Sequence, residues 1–311
     1  MISFLMMAKN VQCFIGAAIE SLQSESVVAW ELIVVDDRSE DQTRSVAERY
    51  AREDSRIRVF KNPHSGKVLG TNFAYTQAKG THIKCIDSDD VLSADFFRAF
   101  EQSLDHDVMF HSSEVVDEAL RRITIYHPNS KWLNGTYLDV LEGLVSLPKF
   151  SWSFTREIGD KVFPMPGGLP FEDVWMSLLI KKHALRPIHV PHALYLYRQH
   201  RTQTYGGILN YSREAVAFRA DRLLRLMDIL ERESRVLGEL SGDVFASARA
   251  ENRFLTGSGA FLELLEFGRL RRRVPRLLLT RYATRLAGAF AELRWRMEGA
   301  KAIVRGAARR T

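Results

Sequence analysis

The sequence predicts an α/β protein whose N-terminal part forms a parallel β-sheet covered by helices, followed by a helical C-terminal extension. Apolar, strand-like runs alternate with amphipathic, helix-like stretches over the first hundred residues. The connections between these stretches are short, which favours a parallel sheet with helices on both faces. From about Tyr211 onward glycine and proline thin out and helical periodicity dominates.

The elements of the first hundred residues follow one another in strand–helix order. They are predicted at Ile2–Met7 (strand), Phe14–Gln23 (helix), Glu31–Val35 (strand), Asp41–Arg52 (helix), Ile57–Phe60 (strand), Val68–Ala78 (helix) and His82–Ile86 (strand). Two acidic clusters, Asp36-Asp37 and Asp87-Ser88-Asp89-Asp90, directly follow strands. Parallel pairing would place both at the carboxyl edge of the sheet, where ligands of such sheets bind.

The middle of the chain is less regular. We predict strands at 107–111, 123–126, 188–190 and 194–198, a helix at 138–147, and a helix that begins at Phe171-Glu172-Asp173 and runs through Lys182. The resulting division is a domain over 1–207, with halves 1–100 and 101–207, and a helical region over 208–311.

Composition excludes several classes of protein. An apolar fraction of 46% over 311 residues excludes a disordered chain. No apolar run approaches the roughly 18 residues of a membrane span, and the first residues have no basic lead before a long apolar core. Two cysteines, Cys13 and Cys85, are too few for a disulfide framework. These features predict a cytoplasmic protein.

Charge is distributed unevenly along the chain. Residues 1–150 carry 16 basic and 22 acidic side chains, whereas 269–311 carry 13 basic and only 2 acidic ones. From 276 onward apolar residues recur at helical steps with arginines between them, which predicts a basic amphipathic helix. Docking on the anionic inner face of the cell membrane is one interpretation. The other interpretation is a helix packed on the N-terminal domain, or in a homo-oligomer contact. Nucleic acid is not expected, because no reader motif is present.

Four polar elements carry possible chemistry, and each has a plain structural alternative. The Asp87-Ser88-Asp89-Asp90 cluster suits an oxygen-liganded Mg²⁺ or Mn²⁺, or caps a helix as an acidic turn. Asp36-Asp37 suits a nucleoside, or caps the next helix. Glu172-Asp173 suits a general base or a helix N-terminus. The stretch from Tyr197 to Arg201, together with Lys67, suits a diphosphate or a solvated loop.

Taken together, these elements resemble one family. The chain is similar to the family 2 glycosyltransferases, which have the GT-A fold, over roughly residues 1–205. The resemblance rests on the opening strand with its Asn, the strand ending in two aspartates, Asn72, the strand before the acidic cluster, the Glu-Asp pair and the Tyr-Leu-Tyr-Arg stretch. In this sequence these are Ile2–Asn10, Trp30–Ser39, Asn72 eight residues before Gly80, Ile86–Asp90, Glu172-Asp173 and Tyr195–Arg198.

The resemblance implies inverting, metal-dependent transfer from a nucleotide-sugar, with a UDP-sugar favoured, to a glycan or lipid-linked acceptor in bacterial surface polysaccharide or glycolipid assembly. It implies a nucleotide-binding half and an acceptor half within 1–207. The implied roles are Asp173 with Glu172 for catalysis, Lys9, Asn10, Asp37, Lys67, Asp87, Arg198 and Arg201 for donor binding, and Asp89, Asp90 and His200 for Mn²⁺ or Mg²⁺.

Two positions depart from the family pattern. Lys9 stands where an aromatic residue usually stacks on the base, and Thr71 stands where an arginine usually precedes Asn72; Lys67 is a possible substitute for that arginine. Neither departure removes a catalytic group. They leave open an alternative, a non-catalytic GT-A-fold binding or scaffold subunit at a membrane.

Overall fold

The computed structural model describes residues 1–23, 28–143, 146–200, 212–237, 242–271 and 273–282. The chain divides into two compact units, one formed by Met1–Gly168 with Glu172–Gln199 and the other by Leu169–Phe171 with His200–Thr311. The predicted boundary at 207/208 lies outside the described residues and stays a prediction.

The first unit is built on a mixed sheet. Its strands, numbered β1 to β9 along the chain, are Ile2–Ala8, Trp30–Asp36, Ile57–Lys61, His82–Asp87, Val91–Leu92, Val108–Val116, Arg122–Tyr126, Trp152–Thr155 and Pro187–Arg198. Their order within the described part of the chain is β3-β2-β1-β4-β8-β6-β9-β5, and β7 pairs with β6. The first four strands in that order are parallel, as predicted, whereas β8 is antiparallel to both of its neighbours.

Helices α1 to α8 belong to the same unit, and a short 3-10 turn lies among them. The helices are Ile15–Glu20, Thr43–Glu53, Lys67–Gln77, Phe96–Glu101, Ser130–Asn134, Tyr137–Gly143, Arg156–Val162 and Glu172–His183, and the turn is Lys149–Ser151. All seven residues of β1 and all seven of β2 are buried, which is the pattern of a parallel strand covered on both faces.

The structure corrects the predicted end of the sheet. The two predicted strands at 188–190 and 194–198 form one continuous strand, β9, parallel to β6. Pro191 lies between them and has no N–H to donate to a neighbouring strand. The register accommodates it by a shift, because His111 pairs with Val190 while Ser112 pairs with Ala193. The proline therefore sits in an irregularity instead of ending the strand.

The described part of the second unit is mostly helical from Arg213 onward. Its helices, α9 to α14, are Arg213–Arg232, Ser234–Leu237, Gly242–Thr256, Phe261–Glu266, Gly268–Arg271 and Val274–Tyr282. A small apolar core joins α11 to α14 and includes Phe254, Leu264 and Leu277. The predicted amphipathic helix begins as α14, and its continuation over 283–311 lies outside the described residues. Among the described helices, none combines the length and apolar character needed to cross a membrane.

Candidate active site

The site begins where the parallel strands end. In the sheet register Ala8 of β1 is level with Asp36 of β2, and Met7 of β1 is level with Asp87 of β4. The two acidic clusters therefore lie at the same edge of the sheet, as the strand pattern predicts. This placement follows from parallel pairing alone, because it brings the carboxyl ends of neighbouring strands together.

Asp37 is fixed just beyond β2. Its backbone N–H donates to the carbonyl of Ala8 at 2.8 Å, and its Oδ1 accepts hydrogen bonds from Asn62 Nδ2 at 2.7 Å and from the backbone N–H of Gly66 at 3.2 Å. Gly66 has φ +89°, a left-handed conformation that favours glycine. The loop before α3 thus orients the predicted nucleoside-binding carboxylate.

Lys9 and Asn10 directly follow β1 and are exposed. Asn10 has φ 52°, and its Oδ1 accepts a hydrogen bond from the N–H of Glu40 at 2.9 Å. Its own N–H donates to Ser39 Oγ at 3.1 Å. Asn10 therefore ties the loop after β1 to the loop after β2, and its predicted contact with the donor stays a prediction, as does that of Lys9.

Asp87 lies between two lysines. Its Oδ1 is 2.8 Å from Lys149 Nζ and 3.3 Å from Lys67 Nζ. Its backbone N–H donates to the hydroxyl of Tyr195 at 2.9 Å. Burial favours the neutral carboxyl, but the two ammonium groups outweigh it and hold the pKa of Asp87 well below its usual range. Asp87 is therefore a carboxylate at every physiological pH.

Asp90 has the opposite electrostatic environment. It is only 2% exposed, and burial together with the charges of Asp89 and Asp87 raises its pKa well above the usual value. Its Oδ1 accepts the backbone N–H of Arg198 at 2.7 Å, whereas its Oδ2 is buried with no hydrogen-bond partner among the described residues. A buried carboxylate oxygen of this kind is suited to receive a cation.

The aspartates that follow β4 are the candidate ligands for Mg²⁺ or Mn²⁺. Among the residues that the structure describes, no group of three or more His, Cys, Asp or Glu surrounds a common point. Mg²⁺ and Mn²⁺ are hard ions that take oxygen ligands, and Mg²⁺ in particular is commonly held by one or two carboxylates plus substrate phosphates. Asp89 and Asp90 fit that limited requirement. His200 belongs to the second compact unit, and its predicted ligand role stays a prediction.

Glu172 and Asp173 open α8. Glu172 is buried, and its Oε1 lies 3.3 Å from both Lys67 Nζ and Lys149 Nζ. Asp173 Oδ1 accepts the backbone N–H of Lys149 at 2.8 Å. Burial and the neighbouring Glu172 charge raise the pKa of Asp173 to about 6. Such a carboxyl is ionised at neutral pH yet more basic than an ordinary aspartate, as a general base requires.

Arg198 is less available than the sequence suggests. It is only 5% exposed, its Nη1 donates to the carbonyl of Glu118 at 3.0 Å, and its guanidinium lies 4.9 Å from the centre of the Phe14 ring. Its predicted contact with the diphosphate stays a prediction. Arg201 lies outside the described residues.

Lys149 is the site residue that the sequence does not reveal. It lies in the irregular stretch 127–170 and belongs to no motif and no helical period. Nothing in the sequence therefore distinguishes it from a surface lysine. The structure buries it and joins it to Asp87, Glu172 and Asp173. The strand tips and the start of α8 are thereby brought into one charged cluster, which we call the lysine–carboxylate cluster (Lys67, Asp87, Lys149, Glu172 and Asp173).

Known proteins resemble this chain in sequence. Residues 3–135 match the model of glycosyl transferase family 2. The putative glycosyltransferase EpsH of Bacillus subtilis is 26% identical over 215 residues, which cover 64% of this chain and 61% of EpsH. The Escherichia coli UDP-Glc:alpha-D-GlcNAc-diphosphoundecaprenol beta-1,3-glucosyltransferase WfgD is 35% identical over 92 residues, which cover 29% of this chain and 36% of WfgD. The matches thus span less than two thirds of either relative.

Solved structures share the fold. Residues 1–349 of TarS from S. aureus, in complex with UDP-GlcNAc, superpose with a TM-score of 0.57 at 17% identity over 96% of this chain and 92% of that one. The mannosyltransferase PcManGT from Pyrobaculum calidifontis, in complex with GDP-Man and Mn²⁺, gives 0.52 at 15% identity over 94% and 86%. At such low identity the likeness establishes the fold alone, and that fold is the predicted GT-A. Residues 3–135 are therefore similar to glycosyl transferase family 2, and the chain has the GT-A fold.

Proposed function

We propose that this chain is an inverting, metal-dependent glycosyltransferase that moves a sugar from a nucleotide-sugar to an acceptor hydroxyl. The observation that carries the proposal is the lysine–carboxylate cluster, in which Asp87 at a strand tip and Asp173 at the start of α8 are held by the same lysine. One carboxylate stays ionised at all physiological pH values, while the other has a pKa of about 6. Two carboxyl groups with such different pKa values are suited to different roles.

In the proposed reaction Asp173 accepts the proton of the acceptor hydroxyl as that oxygen attacks the anomeric carbon. The bond between the anomeric carbon and the diphosphate breaks on the opposite face, and the nucleoside diphosphate leaves with the bonding electrons. Asp37 and Asp87 orient the nucleoside portion of the donor. Asp89 and Asp90, with His200 as a further predicted ligand, would hold Mn²⁺ or Mg²⁺, and the ion would supply positive charge to the diphosphate. Arg198, Arg201 and Lys67 are the cationic residues that we assign to the diphosphate.

We favour a UDP-sugar as donor and a step of bacterial surface polysaccharide or glycolipid assembly as the setting. Support comes from the relatives, since WfgD is described as using UDP-Glc and a diphosphoundecaprenol-linked acceptor, and the TarS structure holds UDP-GlcNAc. A lipid-linked acceptor is presented at a membrane surface. The run of 13 basic against 2 acidic residues over 269–311 is suited to an anionic leaflet, and we propose peripheral docking there from the cytoplasmic side.

Turnover of donor separates this function from a non-catalytic binding subunit. The purified chain, incubated with a panel of UDP-sugars and Mn²⁺, is expected to release UDP slowly by hydrolysis and faster when a suitable acceptor is added. Removal of the metal with EDTA should abolish the release, and added Mn²⁺ should restore it. Calorimetry with UDP and Mn²⁺ accompanies the assay. Metal-dependent UDP binding without turnover of any donor, or neither binding nor turnover, would contradict the enzymatic proposal.

A further inference from the structure

Lys149 is a buried lysine whose position is not explained by a contribution to folding stability alone. It is only 3% exposed, and a lysine is rarely buried unless its charge is paired. Replacing buried ion pairs by well-packed apolar side chains is often neutral or stabilising, so a purely structural link at this place has no need of a charge. The partners of Lys149 are three carboxylates of the proposed active site.

The segment that carries Lys149 is held on both sides. Before it, the N–H of Leu147 donates to Ser177 Oγ on α8 at 2.9 Å. After it, Lys84 Nζ donates to the carbonyl of Phe150 at 2.6 Å and to that of Trp152 at 3.2 Å. The 3-10 turn is therefore tied both to α8, whose first turn contains Asp173, and to β4, which ends with Asp87.

Lys149 reaches the two ends of the site with different atoms. Its backbone N–H donates to Asp173 Oδ1 at 2.8 Å. Its Nζ is 2.8 Å from Asp87 Oδ1 and 3.3 Å from Glu172 Oε1. Lys67 Nζ contacts the same two carboxylates at 3.3 Å each, but its side chain is half exposed. Only Lys149 of these two lysines also hydrogen-bonds to the candidate base.

We propose that Lys149 is a positioning residue that connects the candidate base to the donor-side carboxylate. Its N–H fixes the direction of the Asp173 carboxylate, and its ammonium keeps Asp87 and Glu172 close together despite their like charges. This role rests on the proposed function, because it gives Asp173 the task of a base. No contact between Lys149 and the substrate is required, so the residue acts through Asp173 and Asp87.

The charges around Asp173 determine what the loss of the ammonium will do. Glu172 raises the pKa of Asp173, whereas Lys67 and Lys149 lower it. Tyr126 also faces Asp173 and is itself neutral, since burial and that carboxylate raise its pKa. When the positive charge of Lys149 is removed, less positive charge remains to offset the negative charge of Glu172 near Asp173. The pKa of Asp173 should therefore rise further.

The test reads the Asp173 carboxyl directly. In protein labelled with ¹³C at the aspartate carboxyls, the Asp173 signal is assigned by its loss in Asp173→Asn, and its midpoint is followed by NMR in the donor-free chain. Wild type is expected to titrate near pH 6. Lys149→Met should raise the midpoint by about one pH unit. Lys61→Met removes an exposed lysine on β3 and should leave the midpoint unchanged.

Two further readouts keep the outcome decisive. In turnover assays the acidic limb of the rate–pH profile of Lys149→Met should move to higher pH together with the carboxyl midpoint. A purely structural role would instead lower the rate at every pH without moving the limb.

A second pair of variants covers the case in which Lys149→Met does not fold. The Asp173 midpoint is then compared between Glu172→Gln and the double variant Glu172→Gln with Lys149→Met, in which one negative and one positive charge are removed together. An unchanged midpoint in the folded variant overturns the proposal. The NMR titration does not depend on turnover of a donor. A chain that turns over no donor would therefore contradict the proposed function without changing the NMR result for Lys149.

Discussion

Lys84 is a buried titratable side chain, and its burial affects the stability of the folded protein. It is completely buried on β4, where its Nζ donates to two backbone carbonyls and lies 3.0 Å from His111 Nε2. Burial lowers its pKa to about 7 from the usual 10.5. At pH 7 the amine is therefore only about half protonated in the folded protein, whereas it is fully protonated in the unfolded chain.

This difference predicts a pH-dependent stability. Between pH 7 and 10.5 the unfolded state binds more protons than the folded state, so the free energy of unfolding should rise with pH in that window, by on the order of 1 kcal/mol per pH unit. Lys84→Met should lose that rise. It should also be destabilised by about 1–3 kcal/mol above pH 9, because the carbonyls of Phe150 and Trp152 lose their donor.

Urea unfolding at pH 7, 8 and 9 measures both effects. Lys61→Met, which alters an exposed lysine, should keep the wild-type pH dependence. An unfolding free energy that rises equally with pH in Lys84→Met and in wild type would mean that another group causes the dependence.

Among the elements, the strands that end at the site are the part that the sequence predicts well. The runs at 2–7, 31–35 and 82–86 are apolar and are followed at once by polar residues, so both their type and their shared edge follow from the pattern. The Glu172-Asp173 helix is also found at the predicted place. These elements carry Asp37, Asp87 and Asp173, which is why the candidate carboxylates are recognisable from sequence.

The turn at 149–151 is the part that the sequence does not predict. It has three residues and no periodicity, and it is positioned by tertiary contacts from Lys84 and Ser177. The strand β8 that follows it has four residues and pairs antiparallel with β4 and β6. Short elements of this kind are determined by their neighbours in space, so Lys149 is found only once the strands are assembled.

Over the whole molecule, charge separates the front of the chain from its end. The acidic excess of residues 1–150 contrasts with the basic run over 269–311, of which the structure describes 269–271 and 273–282. In α14, Tyr282 is 66% exposed. An exposed aromatic side chain in a basic helix is consistent with the proposed contact with an anionic lipid surface.

Liposome sedimentation of the chain 1–311 tests this contact. Wild type should bind vesicles that contain anionic phospholipid and should be released as salt is raised, because the attraction falls off within a Debye length. Replacing Arg285, Arg296 and Arg305 by glutamine should weaken binding by about 10²-fold, because each charge near the surface contributes about 1 kcal/mol. The matched control has the same number of arginines, Arg44, Arg49 and Arg98 of the first unit, replaced by glutamine. Equal binding by both triple variants would contradict membrane docking through the basic end.

The most direct measurement for the account as a whole compares Asp173→Asn with wild type in sugar transfer and in UDP binding. Asparagine keeps the size of the side chain but cannot take up the proton of the acceptor. We expect transfer to fall by about 10²–10⁴-fold, the usual contribution of a general base, while the affinity for UDP with Mn²⁺ stays nearly unchanged. Full transfer activity in Asp173→Asn would contradict the assignment of Asp173 as the base on which the proposed reaction depends.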